Sequence, residues 1–250
     1  MTIDNTKINS RIKKLELLLK QVDKIHLREA SAILNVSEMT IRRDLVSTKS
    51  MSLLGGYIVN ETKNNYFLLE QQDKNIVEKM DVGKLASSLI EDGDVIFFDC
   101  GTTIASLASQ ISDKVKFTAI CCSINTFMIL QEKINCNIIL CGGHYSRDNS
   151  LVTSTQSHSI LDSVCTTKAF IATSGVDRQQ GLTCFRFSEA QVKQKAMAKT
   201  QKKILIFDHT KFQQVHSAYI GQLDDFDLIV CNRPIPEEFG IPSERIWGGK

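Results

Sequence analysis

VIFFDCGTTIASLASQI, residues 95 to 111, decides how the larger part of this chain is read. Val95 to Phe98 form an apolar run of strand length, and Ile104, Leu107, Ala108 and Ile111 then recur at helical spacing. Between them lie Asp99, Cys100, Gly101, Thr102 and Thr103. A strand that feeds a Gly-containing turn at a helix start presents backbone N–H groups, and here two hydroxyls, toward an anion. The turn is neither a GxxxxGK[ST] phosphate loop nor a GxGxxG dinucleotide turn. Turns of this kind also occur simply to join a strand to a helix.

Further apolar runs follow at FTAICC (117–122), NIILC (137–141), AFIAT (169–173), ILIFD (204–208) and LIVC (228–231). Helical stripes separate most of them, and Val82, Leu85, Ala86 and Leu89 form another before the first strand. The alternation predicts an α/β domain whose parallel sheet is covered by helices. Ligands of such sheets bind beyond the carboxyl ends of the strands. The small and polar residues there, Ser123 to Asn125, Gly142 with Gly143, and Ser174 with Gly175, are expected to share one pocket with the Gly101 turn. SEAQVKQKAM predicts a capping box from Ser188 to Gln191 and sets Glu189 and Lys193 one helical turn apart. DHTKF ends a strand with Asp208 and Lys211. These charges fit a solvated surface as well as a pocket. Cys100 is expected to pack rather than react, because no base lies near it in sequence, and His144 is expected in an exposed loop.

The N-terminal segment reads differently. Ile8, Ile12, Leu15, Leu19 and Val22 make one apolar stripe on a helix. A short helix follows from Leu27 to Leu34, Asn35 supplies a left-handed turn, and Ser37 caps a third helix, SEMTIRRDL. Ile41 and Leu45 face inward, leaving Ser37, Glu38, Thr40, Arg42 and Arg43 for DNA, since such a helix fits the major groove. MSLLGGYIV (51–59) reads as a hairpin, which completes a winged helix-turn-helix. The expected organisation is a DNA-binding domain at 1–60, a linker at 61–75 and an effector domain at 76–250.

Charge agrees with this division. Residues 1–60 carry ten Lys or Arg against six Asp or Glu, whereas the remainder holds twenty against twenty-two. A basic head on a slightly acidic body suits one polyanion-binding end. The eight cysteines form no CxxC pair and several sit inside apolar runs, as reduced buried thiols do. The His residues are scattered, so neither metal nor cofactor is expected. No apolar signal core and no stretch of about 18 apolar residues is present, so the expectation is a cytoplasmic protein with no membrane contact.

SEMTIRRDL, GGYIV, DCGTT, the CGG turn, TSGV, EAQVKQKAM and DHTKF, in this order, resemble the DeoR family of bacterial repressors across nearly the whole chain. The resemblance implies an effector domain similar to ribose-5-phosphate isomerase that holds a sugar phosphate. It implies a phosphate loop at Gly101, Thr102 and Thr103, with Lys79 and Lys211 as phosphate-contacting lysines. Asp99, Ser123, Asn125, Gly142 and Gly143 would line the pocket, and Glu189 and Lys193 would approach the sugar. Double-stranded operator DNA, deoxyribose 5-phosphate and a homo-oligomeric assembly are the implied partners. The isomerase's acidic Asp-Gly-Ala-Asp motif corresponds here to Ser174, Gly175, Val176 and Asp177, so one carboxylate is missing and binding without turnover is expected. A sugar-phosphate isomerase with an added DNA-binding domain, or a repressor tuned to another sugar phosphate, are the competing readings.

Overall fold

A computed structural model describes residues 2–21, 24–46, 48, 50–54, 57–60, 75–155 and 158–248. The chain divides into two compact units, residues 1–67 and 68–250. The expected linker, apart from Asn75, lies outside the described residues.

The first unit contains α1 (Thr2–Gln21), β1 (Lys24–His26), α2 (Leu27–Leu34), α3 (Glu38–Val46), β2 (Met51–Leu54) and β3 (Tyr57–Asn60). Leu15 and Leu19 of the α1 stripe are buried against Leu27, Ala30, Ile41, Leu45, Met51 and Ile58; Val22 lies outside the described residues. Asn35 adopts a left-handed φ of 51° and ends α2. Ser37 Oγ then accepts the Thr40 N–H at 3.1 Å, so the turn and cap follow from the residue types there. β2 and β3 pair antiparallel with Leu54 opposite Tyr57; Gly55 and Gly56 are outside the described residues. β1 adds a strand to β3 that the sequence does not announce, because KIH offers one apolar residue, Ile25. Arg11 of α1 donates to both carboxylate oxygens of buried Asp44 at 2.5 and 2.9 Å, fixing α3 against α1.

The second unit begins with α4 (Ile76–Ser87), β4 (Val95–Phe98), α5 (Thr102–Ser109), β5 (Phe117–Cys121), α6 (Ile124–Leu130) and β6 (Cys136–Leu140). A hairpin of β7 (His144–Ser146) and β8 (Leu151–Thr153) follows, then β9 (Thr166–Ala172), β10 (Gly175–Asp177), β11 (Gly181–Cys184) and α7 (Phe187–Ala198). β12 (Thr200–Phe207), β13 (Ala218–Gly221), β14 (Leu228–Cys231) and β15 (Ile246–Trp247) complete it. Seven strands form a parallel sheet in the order β15-β14-β12-β9-β4-β5-β6. Ile96 and Phe98 face a core with Val82, Ile104, Leu107 and Leu130 from α4 to α6. Phe97 faces the opposite core, which takes Ala190, Ala196 and Met197 from α7. Both faces are covered, which is why the central strands read as continuous apolar runs.

Two strands begin earlier than the apolar runs suggest. β9 starts at Thr166 and β12 at Thr200, pairing Thr200 with Thr166 and Lys202 with Lys168. Lys168 is accommodated there by Asp94 at 2.7 Å and Glu91 at 2.8 Å, so polar residues extend the ladder. A second correction concerns α7. It starts at Phe187 with Arg186 in the capping position and no side-chain cap, so the expected Ser188–Gln191 box does not form. This register buries Glu189, Ala190, Lys193 and Met197 together, and that packing sets the helix start. β10, β11 and β13 make a separate antiparallel sheet.

Candidate functional site

From β4 the chain steps through β5 to β6 in one direction, then returns to place β9 on the other flank of β4. The strand order therefore reverses between β4 and β9, and an open parallel sheet forms its crevice at such a point. Asp99 follows β4 there and is fully buried. Its Oδ2 accepts the Ala172 N–H at 2.9 Å and an ion-paired hydrogen bond from Lys193 Nζ. Lys193 also donates to the Ala172 carbonyl at 3.0 Å, bridging the two strand ends. Burial by itself lowers the Lys193 pKa, but the adjoining Asp99 carboxylate outweighs it and the net shift is upward, so the ammonium form persists.

One turn earlier on α7, Glu189 Oε1 accepts from Asn149 Nδ2 at 2.8 Å. Burial raises the Glu189 pKa, opposed by Lys193 and by that hydrogen bond. Ile124 N–H donates to Ser150 O at 2.9 Å, bringing the Asn149 loop to the end of β5. Ser123 is buried and caps α6, and Thr126 Oγ1 reaches the Asp99 carbonyl at 3.5 Å. Three buried polar atoms, Asp99 Oδ1 after β4, Asn125 Nδ2 in the first turn of α6 and Asn149 Oδ1 in its loop, have no hydrogen-bond partner among the described residues. Native interiors leave few such atoms, and a cluster of them marks a site for a polar ligand. Asn149 escaped the sequence reading because the SRDNS loop carries no periodicity; an asparagine beside a buried strand was its only signal.

Gly101 precedes α5 with φ 118°, a conformation that other residues rarely adopt, and as a glycine it caps no amide of the first turn. Thr102 is half-buried and Thr103 buried behind it. α4 and α5 both start at this edge of the sheet, since Asn75 Nδ2 donates to Thr210 Oγ1 (3.0 Å) just beyond β12. The two helices touch where Gly83 meets Ser106; a Cβ on Gly83 would lie 2.7 Å from the Ser106 carbonyl carbon. Lys79, one turn before Gly83 on α4, is buried. Lys211 lies in the turn contacted by Asn75, its Nζ 3.6 Å from Asp208 Oδ2.

The remaining strand-end residues have other work. Gly143 has φ 141°, and a Cβ there would stand 2.0 Å from the Thr153 carbonyl oxygen, so glycine lets the β7–β8 hairpin cross. Gly142 lines a separate cavity of about 230 Å³ with Cys122, Cys141, Ser188, Gln191 and Lys195. Gly175 passes close to Gln214 O and Thr183 Oγ1. Asp177 Oδ1 accepts the Gln179 and Gln180 N–H groups at 2.8 Å each, closing the β10–β11 turn. Cys100 is buried, and burial with Asp99 alongside pushes its thiol well above the ordinary value, so it stays protonated and unreactive. His144 is exposed, on β7 rather than in a loop.

On the other unit, Ile41 and Leu45 of α3 are buried while Met39, Arg42 and Arg43 are exposed. Ser37 and Thr40 bond to each other at 2.9 Å within the cap. Glu38 lies 3.7 Å from Arg28, an exposed pair of small energetic weight. The exposure of Met39 was not anticipated; its spacing from Arg42 and Arg43 was the available signal.

Comparison with known proteins agrees over both units. The DeoR-like helix-turn-helix domain matches residues 11–63, and the DeoR C terminal sensor domain matches residues 74–233. The deoxyribose operon repressor of Escherichia coli K12 is 42% identical over 230 residues, 91% of each chain. The lactose phosphotransferase system repressor of Staphylococcus aureus is 29% identical over 232 residues, 90% of this chain and 92% of that one. Among solved structures, ribose 5-phosphate isomerase A of Methanocaldococcus jannaschii aligns with a TM-score of 0.41 at 18% identity, over 56% of this chain and 55% of that one.

Proposed function

The chain belongs to the DeoR family, and from that premise we propose that this DNA-binding repressor controls genes of deoxyribonucleoside breakdown and leaves its operator when deoxyribose 5-phosphate enters the β4–β9 crevice. The observation that carries the reading is the buried Asp99–Lys193 pair, flanked by unpartnered Asp99 Oδ1, Asn125 Nδ2 and Asn149 Oδ1 and adjoining the glycine-started helix α5. A phosphate takes the free amides and hydroxyls of Gly101, Thr102 and Thr103, with Lys79 and Lys211 supplying charge. The sugar hydroxyls meet Asp99, Asn125, Asn149, Glu189 and Lys193; Ser123, Gly142 and Gly143 shape the surrounding turns.

In the DNA-binding domain, residues 1–60, Arg42 and Arg43 contact bases or phosphates, and Ser37, Glu38 and Thr40 form the helix start that approaches the groove. Residues 61–75 link it to the effector domain, 76–250. A single reading helix is a small recognition surface, so the repressor works as a homo-oligomer. Effector binding shifts the arrangement of the reading helices; coupling of about 1–3 kcal/mol changes operator affinity roughly 5 to 150-fold. The crevice binds without turnover: Ser174 supplies no carboxylate, and Asp177 holds a turn.

Titrating the repressor–operator complex with deoxyribose 5-phosphate tests the reading. Release is expected at lower concentration than with ribose 5-phosphate, with neither sugar converted. Thr102→Ala and Lys211→Ala should each weaken the response about tenfold, as loss of one hydrogen bond to a charged group does. A response unchanged in both variants would remove the phosphate assignment.

A further inference from the structure

A helix that enters the major groove reads base edges chiefly with its N-terminal residues. In α3 this stretch is Ser37 to Thr40. Two of its four side chains are held in the cap, Ser37 Oγ taking the Thr40 N–H at 3.1 Å and the two hydroxyls bonding at 2.9 Å. Glu38 carries the charge that phosphates repel and leans to Arg28. Met39 remains, 66% exposed, more than the other large apolar residues described in its unit, Leu17 at 61% and Ile33 at 52%. Arg42 and Arg43 stand three and four residues beyond it, on one helical face, while Ile41 and Leu45 fill the core behind.

A thioether donates no hydrogen bond and is a weak acceptor, so Met39 contributes to base reading through apolar contact. The major groove offers one apolar group, the C5 methyl of thymine; its other distinguishing features are hydrogen-bond donors and acceptors. We infer that Met39 is a specificity residue of the operator complex, selecting thymine by packing on its methyl group beside the DNA contacts of Arg42 and Arg43. The inference rests on α3 being the reading helix.

The test starts from duplexes that the full-length repressor enriches out of random-sequence DNA. Each thymine in the enriched half-site is replaced in turn by deoxyuridine, which removes the methyl group and preserves base pairing. At one position or two, affinity should fall about fourfold, the change expected from one methyl group left in water. Met39→Ala should bind the thymine duplex more weakly and ignore the substitution at those positions, whereas Met39→Leu should keep the sensitivity. Both variants replace an exposed side chain, and an unchanged melting profile would show that the fold is kept. Indifference to deoxyuridine at every position, or undiminished sensitivity in Met39→Ala, overturns the inference while leaving DNA binding intact. If no sequence is enriched, the reading of α3 itself fails and the inference falls with it.

Discussion

Asp44 in one unit and Asp99 in the other are buried carboxylates held in ion pairs, and the two pairs are built differently. In the DNA-binding unit Arg11 donates to both oxygens of Asp44, so the carboxylate is satisfied on each side. In the sensor unit Asp99 Oδ2 takes Ala172 N–H and Lys193, while Asp99 Oδ1, equally buried, has no partner among the described residues. A saturated pair fixes one helix against another. An unsaturated pair keeps a charged acceptor ready for a ligand, at a standing cost in stability that structural packing alone does not explain. On the proposed reading, the contrast separates an ion pair that makes a shape from one that makes a site.

The strongest way to break this contrast is to remove one partner from each pair. Lys193→Met strands the buried Asp99 carboxylate and should cost about 3–5 kcal/mol, together with the effector response. Arg11→Met should destabilise less, because Arg11 keeps 20% of its surface in water, and it should weaken operator binding while leaving effector affinity intact. Replacing both members by apolar residues sharpens the comparison, since such swaps are often neutral or stabilising. Arg11→Met with Asp44→Leu should recover stability and DNA binding alike. Lys193→Met with Asp99→Leu should recover stability alone. Chemical denaturation alongside operator and effector titrations reads all four, and an effector response in the Lys193/Asp99 double variant would show that the pair is only structural.

A smaller effect is expected on the recognition helix. Arg42→Ala and Arg43→Ala change no buried contact, so neither should shift the melting midpoint. A residue that reads guanine should cost about 1–3 kcal/mol and relax preference at one base pair; one that meets phosphate should weaken binding uniformly and reduce the salt slope by about one. Affinity measured across a salt series on cognate and mutated duplexes assigns each arginine to one role. Wild-type affinity and preference in both variants would remove α3 from the interface.

These features differ in how far the sequence reveals them. Apolar runs and periodicity exposed α1 and six of the seven strands of the sheet, because burial leaves a pattern in the sequence, and the residue types Asn35 and Ser37 exposed the capped turn. It passed over β1, the β7–β8 hairpin and the first residues of β9 and β12, where short or polar segments pair and no stripe is needed. In the crevice, Asp99, Gly101 and Thr102 were legible because a strand-turn-helix junction leaves a local signature. Asn149 was not, since its place depends on Glu189, forty residues away, and no local pattern encodes that distance. The Gly142–Gly143 turn was legible as a turn, while the reason for a glycine at 143, its close approach to the Thr153 backbone, was not.

The finest test concerns Glu189, the other acidic residue beside Lys193. Burial raises its pKa above the ordinary value of 4.5, so the folded unit binds its proton more tightly than the unfolded chain. A raised pKa gives a contribution that is fully present below the unfolded value and is lost as pH rises through the folded one. Stability of the sensor unit should therefore decline from about pH 4.5 upward until Glu189 has ionised. Glu189→Gln keeps an acceptor for Asn149 and has no proton to lose. Its midpoint should be flatter across this window and slightly above that of the parent at neutral pH, in paired melting curves collected over the range. If both proteins lose stability in parallel, the slope belongs to other groups, and Glu189 is as well accommodated as Asp44 is by Arg11.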